Sequence, residues 1–234
     1  MSTNGRVSKS WSQPWTHLRV DRCSPSSCRV TFDHAPINAI TATTVEELSE
    51  LVELIDQDHD LNVVVFDSAN PDFYLTGSTR IDAWLELLDR LSRAPVVSIA
   101  SIRGRARGAG SEFVLACDIR FASRENTLLG PFEVGVGGAR LSRLVGRGWA
   151  LEILLGADDL DGPRAERYGL VNRAIADDQL DREVEEIASR LARFDHDVIA
   201  HTKSCVDQLT STELMPRPAG TRGLAMPLPA PGAS

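Results

Sequence analysis

Gly104–Ser123 reads GRARGAGSEFVLACDIRFAS, and this run decides how the chain folds. It follows Pro95–Ile102 (PVVSIASI), a stretch rich in β-branched residues that predicts a buried strand. The glycines from Gly104 to Gly110 predict a turn that opens a helix through the apolar segment Phe113–Cys117, and Asp118–Ala122 predicts a further short strand. Backbone N–H groups around Ala109 and Gly110 then have no acceptor within the helix and face whatever lies in front of it, so the turn can hold an anion or an oxyanion. Glu112 falls in the first helical turn, where the helix dipole favours its ionised form. Taken alone, the turn fits plain close packing of a strand on a helix equally well, and Glu112 fits a residue that only complements the dipole.

Toward the N-terminus, Trp15–Val20 and Cys28–Phe32 are β-prone runs flanking a Ser-Pro-Ser-Ser stretch, which predicts a hairpin. Val45, Leu48, Leu51, Val52 and Ile55 recur at helical spacing, with Thr43 or Thr44 as cap, acidic residues in the first turns and an end near Asp58. Asn62–Phe66 (NVVVF) predicts a strand covered on both faces, and Leu85–Leu91 a helix. Strand, helix and strand in repeated order imply parallel pairing with helical crossovers. Toward the C-terminus, Ala139–Leu155 predicts a helix stopped by Gly156, and Arg164–Tyr168 a helical turn closed by Gly169, with Leu170 and Val171 extended. Helices are expected around Leu180–Leu191 and Val198–Leu209, and Pro216–Ser234, rich in Pro, Gly and Ala, is expected to be disordered.

The 234 residues include 42% hydrophobic side chains, enough for one domain with a substantial core. A net charge of −8 argues against a general nucleic-acid binder, which needs a dense cationic surface. Arg103, Arg105 and Arg107 could hold an anion locally, although alternating arginines equally mark a solvated edge. No run of about 18 apolar residues occurs and Met1–Gln13 is polar, so a cytoplasmic protein without a membrane partner is expected. The four cysteines, Cys23, Cys28, Cys117 and Cys205, form no CxxC pair and no histidine cluster completes a zinc site, so no metal is expected. Cys23 and Cys28 could bridge a tight turn, but free thiols are the expectation in a cytosolic chain. The five histidines are scattered singly, and none is assigned to catalysis.

Residue for residue, Gly104–Ser123 resembles the signature of the enoyl-CoA hydratase/isomerase (crotonase) superfamily, G-x-A-x-G-G-G-x-E-[LF]-x-x-x-C-D-x-x-x-A. Other blocks follow in the family's order. His34–Ile40 (HAPINAI) is similar to its P-x-N-A-[LI] element, and NVVVFDSANPDFYLTGS to the strand and loop that end in F-x-A-G-A-D. LSRLVGRGWALEILLGADDLDGPRAERYGLVNRAI is similar to the later block in which L-x-G precedes A-x-x-x-G-L-V-N, and Lys203 stands where the last helices usually carry a lysine. The resemblance spans roughly residues 15 to 205. It implies a mixed α/β fold, a spiral of ββα units with a C-terminal helical region. The expected division is a flexible N-terminus over 1–14, a core over 15–178, C-terminal helices over 179–212 and a disordered tail over 213–234.

By position, the resemblance implies that Ser78 and Ala109 supply the two backbone N–H groups of an oxyanion hole, and that Glu112 and Glu133 are the catalytic carboxylates. The implied substrate is an acyl-CoA thioester, with coenzyme A as part of the substrate and no separate cofactor. The implied reaction is hydration of a 2-enoyl-CoA. Double-bond isomerisation needs only one carboxylate and is the sister expectation, and a silent acyl-CoA-binding scaffold is the rival. A homotrimer or hexamer is implied as the assembly.

The chain also departs from the pattern. Ala109 replaces the middle glycine of the triple, which is cheap at negative φ and strained at positive φ. Gly77-Ser78-Thr79 lacks the aspartate of the G-A-D element, and the run VGVGGARL after Glu133 is several residues short of the family's glycine-proline loop.

Overall fold

Leu18–Ser24 (β1) and Ser27–Phe32 (β2) pair antiparallel across Pro25 and Ser26, the expected hairpin shifted toward the C-terminus. The computed structural model describes residues 10–77, 82–132 and 138–210. The next element is the helix Ala42–Gln57 (α1), which turns Leu48, Leu51, Val52 and Ile55 into the core. Its cap is Thr41 rather than Thr43 or Thr44. The Thr41 hydroxyl accepts from Thr44 N–H while the Thr44 hydroxyl accepts from Thr41 N–H, and no acidic residue lies in the first turn. This reciprocal pair satisfies donors that a single hydroxyl would leave open, and it moves the helix start toward the N-terminus.

Val63–Ser68 (β3) and Phe73–Gly77 (β4) follow, then the helix Asp82–Arg93 (α2). Val97–Gly108 (β5) leads into the helix Ala109–Ala116 (α3) and then Ile119–Leu129 (β6). The rest comprises Gly138–Gly156 (α4), Leu160–Asp161 (β7), Gly162–Tyr168 (α5), Arg173–Ile175 (β8), Asp177–Leu191 (α6) and His196–Thr210 (α7). Among the described residues the strands form one mixed eight-stranded sheet in the order β1-β2-β3-β5-β6-β7, with β4 added on β5 and β8 on β6. The pairings β2–β3, β3–β5, β4–β5, β5–β6 and β6–β8 are parallel, as the alternation of strand and helix implies. Two turns of ββα are followed by a third in which α3 interrupts the strand pair, so the fold is a mixed α/β spiral.

The largest difference from the sequence reading concerns β5. The expected turn at Gly104 is instead a bend with φ of 70°, and the strand continues to Gly108. Its first half, Val97–Ala100, pairs with β3, and its second half, Arg105–Gly108, pairs with β4. β4, which the sequence reading took as part of a loop, is therefore held beside the start of α3. β6 likewise runs beyond Ala122 to Leu129, Leu170 and Val171 precede β8 rather than forming a strand, and α4 is interrupted at Gly146 (φ 77°, ψ 164°). Tertiary pairing decides these boundaries, which local propensity sees poorly.

The sheet buries both faces. Val64 and Phe66 join the main core with α1, α2 and α3, whereas Val63, Val65, Ile99 and Phe121 face Leu180, Val184 and Ala188 of α6. Phe113 of α3 stacks edge-on against Phe32 and Phe66 at centroid distances of 5.3 and 5.1 Å, which fixes the rotation of α3 about its axis. All four cysteines are free, and no helix among the described residues is long and apolar enough to cross a membrane.

The positive φ that the start of α3 requires falls on Gly108 (56°), and Ala109 already lies inside the helix. Ala109 is therefore unstrained. Space, rather than φ, restricts Gly110, where a Cβ would lie 1.9 Å from the Leu75 carbonyl oxygen of β4. We expect Gly110→Ala to cost about 3 kcal/mol in urea unfolding followed by circular dichroism, and Ala109→Gly no more than about 1 kcal/mol.

His17 is 9% exposed, stacks on His34 with ring centroids 3.6 Å apart and places Nδ1 2.8 Å from the Thr44 hydroxyl. Burial first, and the neighbouring His34 second, hold its pKa below 6.5, against the opposing pull of Glu47. The unfolded chain thus takes up this proton more readily, and stability falls as pH drops below the unfolded value. Between about pH 7 and about pH 5, His17→Asn is expected to lose less stability than the wild-type chain.

Candidate active site

Three segments of chain meet at Gly108. β4 runs parallel to the end of β5, with Thr76 opposite Arg107 and Gly77 opposite Gly108. From the other side, Gly108 N–H donates to the Pro131 carbonyl at 2.9 Å, and Gly130 N–H donates to the Ala106 carbonyl at 3.0 Å. Gly77 directly precedes Ser78, and Pro131 lies two residues before Glu133. Ser78 and Glu133 themselves lie outside the described residues. The structure thus brings the residues leading into both of them onto the glycine that opens α3.

β4 is fixed in this position by the segment His34–Ile40. Asn38 is 2% exposed with φ of 49°, and its side-chain amide donates to the Ser68 hydroxyl at 2.8 Å and to the Phe73 carbonyl at 3.0 Å. Its Oδ1 accepts from His34 N–H at 2.8 Å. Thr76 N–H donates to the Asn38 carbonyl at 3.1 Å, and Ile40 N–H donates to the Thr76 carbonyl at 2.8 Å. The asparagine of HAPINAI is therefore a buried splint that ties this segment to β3 and β4.

Ala109 and Glu112 are both buried in the first turn of α3, at 0% and 2% exposure. Ala109 N–H belongs to the first four amides of the helix, which have no intrahelical acceptor. Ser111 turns its hydroxyl away to the Ala106 carbonyl at 2.7 Å. The helix start thus combines an amide without an intrahelical acceptor, the positive end of the helix dipole and a carboxyl within one turn. Such an arrangement can polarise a carbonyl and move a proton beside it.

The sequence reading gave Arg140 no role, since a single arginine in the first turn of a helix carries no local signal. Burial draws its guanidinium below the ordinary arginine range, and Glu112 is the first of the charges that oppose this effect, ahead of Asp89. Cys117, at the far end of α3, is no nucleophile, because burial pushes its thiol up to about 12. Asp118 beside it is structural. Its Oδ2 accepts from Ser98 N–H, the Ser98 hydroxyl and Lys203 Nζ, each at 2.8 Å, and Lys203 also donates to the Val96 carbonyl at 2.9 Å. The lysine expected in the last helices therefore clamps α7 to the start of β5.

Arg103, Arg105 and Arg107 do not form an anion site. Arg103 pairs with Asp177 and Asp181, whereas Arg105 and Arg107 pair with Asp159. Strand alternation places all three on one face of β5, where acidic side chains from α6 and from the stretch before β7 meet them. No group of three or more His, Cys, Asp or Glu side chains among the described residues could hold a metal ion.

Comparison with known proteins agrees with this architecture. A family model described as enoyl-CoA hydratase/isomerase matches residues 23–222. The short-chain-enoyl-CoA hydratase of Clostridium acetobutylicum is 30% identical over 182 residues, 66% of this chain and 67% of that protein. A Streptomyces avermitilis structure provisionally named an enoyl-CoA hydratase superposes with a TM-score of 0.80 at 38% identity, covering 87% of this chain and 82% of that one. A monofunctional enoyl-CoA isomerase from M. smegmatis gives a TM-score of 0.75 at 28% identity over 85% and 96% of the two chains. The chain belongs to the enoyl-CoA hydratase/isomerase family.

Proposed function

We propose that the chain adds water to a 2-enoyl-CoA and releases a 3-hydroxyacyl-CoA. The observation that carries this reading is the meeting at Gly108 of the residues that lead into Ser78 and Glu133, one turn of helix from Glu112. The amides of Ser78 and Ala109 hold the thioester oxygen and stabilise the negative charge that builds on it, a contribution of about 3 to 4 kcal/mol per donor in comparable sites. Glu112 takes a proton from water as the oxygen bonds to Cβ, and the displaced π electrons pass through Cα to the thioester oxygen. Glu133 returns a proton to Cα as the enolate collapses. Coenzyme A enters as part of the substrate, and no other cofactor is required. Assembly as a trimer or hexamer would cover apolar side chains exposed on α4 and α7, such as Leu155 and Val206.

Likeness to an isomerase favours a second reading, in which one carboxylate shuttles a proton between two carbons and no water is added. Glu112→Gln separates the two readings. For a hydratase, kcat/KM on crotonyl-CoA is expected to fall at least about a hundredfold with an unchanged circular dichroism spectrum. An isomerase that relies on Glu133 would keep shifting the double bond of a 3-enoyl-CoA. A wild-type chain that binds crotonyl-CoA and a 3-enoyl-CoA without turning over either would identify a silent binding scaffold and overturn both readings.

A further inference from the structure

β4 is seated on residues 38–40, and these in turn rest on two histidines that flank the β1–β2 hairpin. Thr76 N–H donates to the Asn38 carbonyl at 3.1 Å, and Ile40 N–H donates to the Thr76 carbonyl at 2.8 Å. Ile40 lies so close to Gly77 that a Cβ on the glycine would be 2.9 Å from the Ile40 Cβ. The Ala39 carbonyl, between the two bonds, accepts from His34 Nδ1 and from the Thr44 hydroxyl, each at 3.2 Å.

These contacts fix where the ring protons sit. A carbonyl only accepts, so His34 carries its proton on Nδ1, and Nε2 of the neutral ring has the lone pair. The Thr44 hydroxyl gives its one proton to Ala39 and therefore accepts from His17 Nδ1, 2.8 Å away. Asp33 N–H donates to the His17 carbonyl at 2.9 Å, which prolongs the hairpin and sets the two rings face to face. Their centroids are 3.6 Å apart and their planes 11° from parallel. His17 is buried and His34 half-buried.

Glu47 of α1 accepts from the backbone N–H groups of Thr16 and His17, and Asp33, next to His34, pairs with Arg19 at 3.2 Å. Burial opposes a charge on His17 most, a charge on His34 opposes it next, and Glu47 favours it. A first proton on the pair creates no repulsion between the rings. A second puts two like charges face to face, and the half-buried ring is the one that can turn out to water.

We infer that His34 is a positioning residue for the proposed site: stacked on His17, it braces the Ala39 carbonyl and through it the end of β4, and double protonation of the stack releases the brace. His34 touches neither water nor thioester in this scheme. Its catalytic meaning rests on the hydratase reading, in which the end of β4 leads to one oxyanion donor, but the brace itself can be measured without turnover.

The test is amide hydrogen exchange of the full chain, read residue by residue by NMR and corrected for the intrinsic pH dependence of exchange. Between about pH 7 and about pH 5, protection of the Ile40 and Thr76 amides is expected to fall about tenfold or more. The Val97 amide, which donates to the Asn62 carbonyl at the start of β5, should keep its protection. His34→Asn retains a donor for Ala39 and has no charge to gain, so its protection should not fall over this range and its kcat/KM near neutral pH should stay within about threefold of wild type. His34→Leu has no donor. It should be poorly protected at both pH values and lose about tenfold in kcat/KM with KM little changed.

Protection at Ile40 and Thr76 that does not fall, that falls together with Val97, or that still falls in His34→Asn overturns the inference. So does a His34→Leu chain with wild-type protection or wild-type kcat/KM. If His34→Asn does not fold, His17→Asn decides, since it too leaves one chargeable ring: the fall must vanish there, and a fall that remains overturns the inference. A fall confined to Ile40 and Thr76 in a chain without hydratase activity would refute the proposed reaction and leave the brace intact.

Discussion

Leu75 of β4 and Gly110 of α3 approach so closely that a Cβ on the glycine would lie 1.9 Å from the Leu75 carbonyl oxygen. From this contact follow the start of α3, the course of β4 beside the last residues of β5, and the placement of the Ala109 amide. Gly108 makes it possible, because a positive φ turns the chain from strand to helix within one residue. Neither glycine contributes a side chain to chemistry. They allow backbone to approach backbone at the head of α3.

Polar groups buried around this crossing hold it in register. Asn38 binds the segment His34–Ile40 to β3 and β4, and Asp118 receives Ser98 and Lys203 at the opposite end of α3. Each would be costly in an apolar core without its partners, and each is satisfied by several donors or acceptors at once. Position is what they supply. A displacement of about 1 Å in catalytic geometry can cost a hundredfold in rate, so rigid anchors at both ends of a short helix bear directly on function.

Much of this was legible in the sequence because the features concerned are local. NVVVF and PVVSIASI announce buried strands, the spacing from Val45 to Ile55 announces α1, and Gly169 closes α5 in the left-handed conformation. What escaped the reading is set by contacts between distant segments. β4 is a strand only because the second half of β5 pairs with it, and β5 passes through Gly104 only because β4 and β6 flank it there. Arg103, Arg105 and Arg107 fitted an anion site or a solvated edge equally well in the sequence, and the acids from later in the chain that pair with them are non-local. Lys203 shows the converse, since its partner Asp118 lies 85 positions earlier in the sequence. The motif around Glu112 identified the family, whereas the contacts that fix β4 beside α3 are non-local.

In the proposed reaction, amides at the head of α3 polarise the thioester carbonyl. Infrared difference spectroscopy of butyryl-CoA, labelled with carbon-13 at that carbonyl and bound to the full chain, addresses it directly. Two N–H donors on one oxygen weaken the C=O bond, so the labelled band should lie at lower frequency in the complex than in free butyryl-CoA. A saturated complex whose band stays at its free position would mean that the carbonyl is not held at Ala109, and the account of the site would fail.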